Sequence, residues 1–229
     1  MKPWHLVVTG LYLLLLATLA VPLLSVGLGT GSESGFAGAV FRSAGTWITL
    51  GVLACCQLVL LTLPVRIAER RPVSRGALWP TILLGATSLA LLTAAAAVAL
   101  HGAILGDNPE KPWELPALAA LVAFSWLLWA FVFRNLSGKR PASDFLSVLC
   151  RRLFQGSVLE LLVAVPCHVV VRQRQDCCAG IYTTFGLGLG VSVMLLSFGP
   201  AVYFLFVARA RRLEAALPVD ETLDEPDAR

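Results

Sequence analysis

Glu160–Cys178 reads ELLVAVPCHVVVRQRQDCC. Its first half continues an apolar run that starts at Leu153, and its second half turns abruptly to arginine, acid and paired cysteine. The apolar part, Leu153–Val171, is just long enough to cross roughly 30 Å of hydrocarbon as a helix. It carries Gln155, Glu160, Pro166 and His168, which lipid-facing runs ordinarily lack. Whether this segment spans or re-enters decides the threading of the whole chain.

Working outward, five further runs of similar length appear. Residues 4–28, 46–65, 80–105, 115–133 and 181–208 are each predominantly apolar, beside 153–171. Apolar residues make up 57% of the 229-residue chain and charged ones 14%, against roughly 45–50% and about 25% in soluble domains. One soluble core of this size has no room for the excess. The fold expected is all-α: a single polytopic membrane bundle over residues 1–208 with about six transmembrane helices. Residues 209–229 form a charged tail, poor in large apolar groups and expected to be disordered. For the first run, a signal peptide cleaved near Thr18-Leu19-Ala20 is the competing reading. Its apolar stretch exceeds the usual h-region, and we read it as a retained helix.

Charge supplies the orientation. Arg66, Arg70, Arg71 and Arg75 follow the second run, and Arg134, Lys139, Arg140, Arg151 and Arg152 follow the fourth. Arg209, Arg211 and Arg212 follow the sixth, whereas the connection 106–114 is mildly acidic. The positive-inside rule then puts both basic loops and both termini in the cytoplasm. Trp4, Trp47, Trp79 and Trp113 each open a run, as interfacial indoles do. Arg172 and Arg174 fall outside on this map. A re-entrant fifth segment would bring them in, at the cost of exporting the three tail arginines. The Ala/Leu/Arg-rich composition fits a bacterial cytoplasmic (inner) membrane. The expected partners are the lipid bilayer and other membrane subunits or a second copy. A net charge of +4 distributed along run boundaries does not point to nucleic acid.

Glu160 is the first candidate for chemistry. An intramembrane carboxylate faces a bundle interior or a wet cavity and by default marks a proton, ion or substrate site. A structural acid, neutral or paired with an arginine, is the plainer alternative. At helical spacing Glu160, Ala164 and Cys167/His168 share one stripe. Cys167, His168, Cys177 and Cys178 are the second candidate. Three sulfurs and an imidazole suit a zinc or iron-sulfur centre, although adjacent pairs are not the usual ligand spacing. A disulfide from Cys167 to Cys177 or Cys178, or inert thiols, remain open beside it. His101 is expected at the depth of Cys167, with His5 at the opposite end. Cys55 and Cys56, in the middle of the second run, read as packing residues. Cys150, beside Arg151 and Arg152 at the membrane edge, would suit palmitoylation in a eukaryote, which the bacterial composition does not favour.

Gly186 and Gly190 have small-xxx-small spacing and are expected to let a neighbouring helix approach closely. Gly199-Pro200 is expected to act as a kink or hinge. HExxH, GxSxG, P-loop and paired-aspartate motifs are lacking, so an enzyme is not the expectation. Two functions remain. One is a component of a membrane complex with a Cys/His cluster after the fifth helix. The other is a small transporter or channel subunit coupled through Glu160.

Overall fold

The computed structural model describes residues 44–68, 75–106, 114–174 and 177–216, together with Val7, Gly10, Leu11 and Leu14. The four isolated positions are helical, in line with a helical first run. The rest of that run, His5, Trp4, Trp113, the 106–114 connection beyond Gly106 and the end of the tail lie outside the described residues.

Every long element described is an α-helix: α1 Ala44–Ala68, α2 Trp79–Leu105, α3 Glu114–Lys139, α4 Ala142–Arg174 and α5 Cys177–Ala216. A 3₁₀ turn, Arg75–Leu78, leads into α2. Four of these helices are long and apolar enough to cross a membrane, and α1 contributes a shorter apolar stretch, Gly51–Pro64. With 27, 26, 33 and 40 residues, α2 to α5 are about 40 to 60 Å long at 1.5 Å per residue. Large apolar side chains such as Phe124, Phe131, Leu159, Leu162 and Leu205 point out of the bundle. That surface would aggregate in water and is ordinary in lipid. The chain is a helical integral membrane protein.

The helices exceed the apolar runs, and this corrects three expectations. The second basic loop is nearly absent: α3 carries Arg134 and Lys139, α4 carries Arg151 and Arg152, and only Arg140 and Pro141 separate them. The fifth helix starts at Ala142 rather than Leu153 and runs unbroken through Pro166 to Arg174. The sixth begins at Cys177 and continues to Ala216, so the first part of the tail is helical. The physical reason is common to all three. An apolar run measures hydrocarbon thickness, whereas backbone hydrogen bonding propagates into the interface wherever good helix formers such as Arg, Lys, Leu and Ala continue.

α2 is the central helix. Its buried face includes Gly85, Ala86, Ala90, Ala99 and Gly102, and these small residues allow close packing against α3, α4 and α5. It closes at Gly106, whose positive φ of 65° suits glycine and whose N–H donates to the Gly102 carbonyl at 3.0 Å. Specific pairs fix the directions. Trp126 Nε1 donates to Thr87 Oγ1 at 3.1 Å, and Arg134 lies 5.6 Å from the Trp79 ring centroid, so α3 is antiparallel to α2. Gly156 approaches Leu89, and Arg174 Nη1 donates to the Ala103 carbonyl at 2.8 Å, so α4 runs parallel to α2. Phe154 stacks edge-on with Phe198, and His168 meets Thr183, so α4 and α5 form an antiparallel hairpin.

The large-side-chain core fills the half of the bundle nearer the α3–α4 turn. It joins Leu60 and Leu63, Ile82 and Leu89, Phe133, Phe145 and Leu149, and Leu196. Phe133 and Phe145 pack as a T across that turn, with centroids 6.4 Å apart. Towards the other end the packing changes to small residues, Ala99, Ala164 and Cys167. Glu160 sits where the two regimes meet.

Candidate functional site

α4 buries Leu149, Leu153, Ser157, Glu160, Ala164, Cys167 and Val171. Spacings of three and four make a straight seam, so a carboxylate written into that seam has to face inward. Glu160 is only 3% exposed. Opposite it, α5 presents two glycines. A Cβ on Gly186 would stand 3.3 Å from Glu160 Oε1, and one on Gly190 would collide with Oε2. Ala95 of α2 lies against the same Gly186 position, with its Cβ at 3.8 Å. The carboxyl group therefore occupies the junction of α2, α4 and α5, in a notch that exists because two α5 side chains are missing. The small-xxx-small reading of Gly186 and Gly190 is refined accordingly: the group seated on them is the Glu160 carboxylate.

Among the described residues neither oxygen of Glu160 has a hydrogen-bond partner. The buried hydroxyls nearby behave differently. Ser157 donates to the Leu153 carbonyl at 3.0 Å, Thr184 to Gly180 at 2.8 Å, and Ser192 to Gly188 at 2.6 Å. Each is satisfied by its own helix. Buried side-chain polar atoms without a partner are uncommon in native proteins, and each needs an explanation.

A second such group was not singled out from the sequence. Gln57 of α1 is 0% exposed, and its Oε1 and Nε2 likewise have no partner among the described residues. Its carboxamide lies against Gly199, where a Cβ would collide with Nε2. The signal was available, since an amide inside the second apolar run falls under the same reasoning as Glu160. Gly199 thus serves as a seat for a polar side chain, and α5 continues as helix through Pro200. Gly190 and Gly199 are about 14 Å apart along α5 and face different sides of it. Glu160 and Gln57 are separate features flanking one helix.

Of the Cys/His residues, the first pair stays in the helix where its run put it, and the second, expected in the connection before the sixth run, is helical too. Cys167 and His168 lie inside α4, and Cys177 and Cys178 are the first two residues of α5. Cys167 is a buried free thiol packed with Ala99 and Ala164. His168 is half-buried, with Nδ1 2.8 Å from Thr183 Oγ1. The side chains of Cys177 and Cys178 lie outside the described residues. Ala99 and Ala103 do reach the depth of Cys167, but His101, between them, is exposed on the other face of α2. Among the described residues no group of three or more His, Cys, Asp or Glu is arranged to hold a metal ion. No family model matches the chain, and comparison with curated proteins and with solved structures likewise finds no match.

Proposed function

We propose that the protein is a small ion- or proton-coupled membrane transporter or channel subunit in which Glu160 is the coupling group. The observation that carries this reading is a carboxyl group buried at a three-helix junction with both oxygens unpartnered among the described residues. Such a group is costly in hydrocarbon and is retained where its charge changes or where it meets a transient ligand. A proton or cation arriving at the notch would supply what the surrounding helices do not. In the same reading, both termini lie in the cytoplasm of a bacterial inner membrane. The gathering of Arg134, Lys139 and Arg140 at the end of α3, beside Trp79, supports that orientation.

The alternative, a complex component with zinc, iron-sulfur or a disulfide at Cys167, His168, Cys177 and Cys178, has less support. Pairing of Glu160 with Gly190 and of His168 with Thr183 extrapolates to Cys177 opposite Arg174. Cys167 is then about 10 Å away along the hairpin axis. A disulfide needs Cα atoms within about 7 Å.

The test is reconstitution into liposomes loaded with a pH-sensitive dye, comparing the unchanged protein with Glu160→Gln. The amide keeps the shape of the side chain and cannot ionise. Loss of proton or coupled-cation flux with a melting temperature that does not fall is expected. Undiminished flux in Glu160→Gln would refute the coupling role. Sensitivity to Cys177→Ser, with indifference to Glu160→Gln, would favour the cluster instead.

A further inference from the structure

A groove of about 490 Å³ opens between α3 and α4, at the level where the apolar run Leu153–Val171 begins. It exists because both helices pack on α2 and diverge from each other beyond the Phe133–Phe145 contact. Gly156 draws α4 down onto α2: a Cβ there would stand 2.6 Å from Leu89 Cδ2. Leu89 forms the floor, Trp129 one wall, and Val158 and Leu159 the other. Arg152, Gln155, Gly156 and Leu159 follow the i, i+3, i+4, i+7 pattern, so the groove has a polar mouth that grades into an apolar bed.

The mouth is cationic. Arg152 is exposed and donates to Gln155 Oε1 at 3.3 Å, which uses one of the five guanidinium N–H groups. Lys139 and Arg140 lie about 18 Å further out, at the α3–α4 turn, Arg151 adjoins the groove without lining it, and Asp144 is the single acid between Arg134 and Arg152. A guanidinium at the edge of hydrocarbon, above a trough of acyl-chain character, matches a phosphate with an attached alkyl chain. Basic pockets between transmembrane helices are used in this way for anionic headgroups.

We propose that this groove binds an anionic glycerophospholipid from the surrounding bilayer. Its phosphate sits at Arg152 and Gln155, and one acyl chain lies along Leu89, Trp129, Val158 and Leu159. The site is independent of Glu160 and of the transport reading.

Trp129 reports on occupancy. The full chain is reconstituted in phosphatidylcholine vesicles with a minor fraction of either dibrominated phosphatidylglycerol or dibrominated phosphatidylcholine. The Trp129 contribution is isolated by difference from Trp129→Phe. Quenching should favour phosphatidylglycerol by about fivefold, the factor one arginine contributes at an anionic surface. Arg152→Gln should remove the preference, and Arg151→Gln, changing an exposed neighbour outside the groove, should keep it. Leu159→Phe, at an exposed position where the fold tolerates it, should reduce quenching by both lipids. Equal quenching in the unchanged protein overturns the proposal. So does a preference that survives Arg152→Gln, one that Arg151→Gln lowers equally, or quenching that Leu159→Phe leaves untouched.

Discussion

Glu160 and Gln57 share an arrangement that no other buried polar side chain described here has: each projects against an α5 glycine and neither is hydrogen-bonded. The glycines matter through space rather than backbone freedom, since both lie within regular helix. Gly190→Ala is therefore expected to destabilise by about 1–3 kcal/mol, the usual range for overpacking a tight site. In a Glu160→Ala background the collision with Oε2 is gone and only the Leu161 side chain, 2.9 Å from the same Cβ position, still has to shift, so the substitution should cost less. A double-mutant cycle followed by thermal unfolding in detergent checks this, and additive costs would show that the two residues do not share the space. Glu160→Gln should itself be neutral or stabilising, because a neutral amide is less costly to bury than a carboxylate. Of these two residues only Glu160 stood out in the sequence. Gln57 is just as buried, but an uncharged amide makes a weaker mark in an apolar run.

At the scale of elements, the α4–α5 hairpin is closed by polar contacts at its end and by small residues along its length. His168 with Thr183 is a part-buried hydrogen bond, and Thr183→Val should cost about 1 kcal/mol in the same unfolding measurement. Arg174 to the Ala103 carbonyl is exposed and satisfies a carbonyl that the end of α2 leaves open. Arg174→Ala should leave global stability within about 1 kcal/mol while speeding amide exchange near Gly106, where α2 ends. The existence and order of these helices were legible in apolar runs. Their ends were not, because Arg and Lys serve equally well as a membrane boundary and as helix interior. That ambiguity made a loop of residues 134–152 in the sequence and a near-continuous helical corner in the structure.

For the molecule as a whole, the packing places Lys139 and Arg172 at opposite ends of the bundle, because α3 and α4 are antiparallel and both are long. Single cysteines at these two positions, in a background without the native thiols, should react with membrane-impermeant maleimide from opposite sides of sealed vesicles. Labelling of both from one side would mean that α4 re-enters rather than crosses. The division of the core also has consequences at this scale. Large side chains lock the half near the α3–α4 turn, whereas Ala99, Ala164, Cys167 and Gly186 leave the half beyond Glu160 with little interlocking bulk.

Membrane residence, helical class and the inward direction of Glu160 followed from the sequence by itself, since hydrocarbon admits few backbone solutions and a carboxylate on an apolar stripe has one tolerable direction. Tertiary structure alone decided what that carboxylate meets. Helical periodicity assigns a residue to a face, but not the neighbour across from it. The seating of Glu160 on Gly186 and Gly190, the pairing of Gln57 with Gly199 and the separation of Cys167 from the start of α5 all depend on the register between helices. That register is set by side-chain volumes at contacts remote in sequence, which no single run reveals.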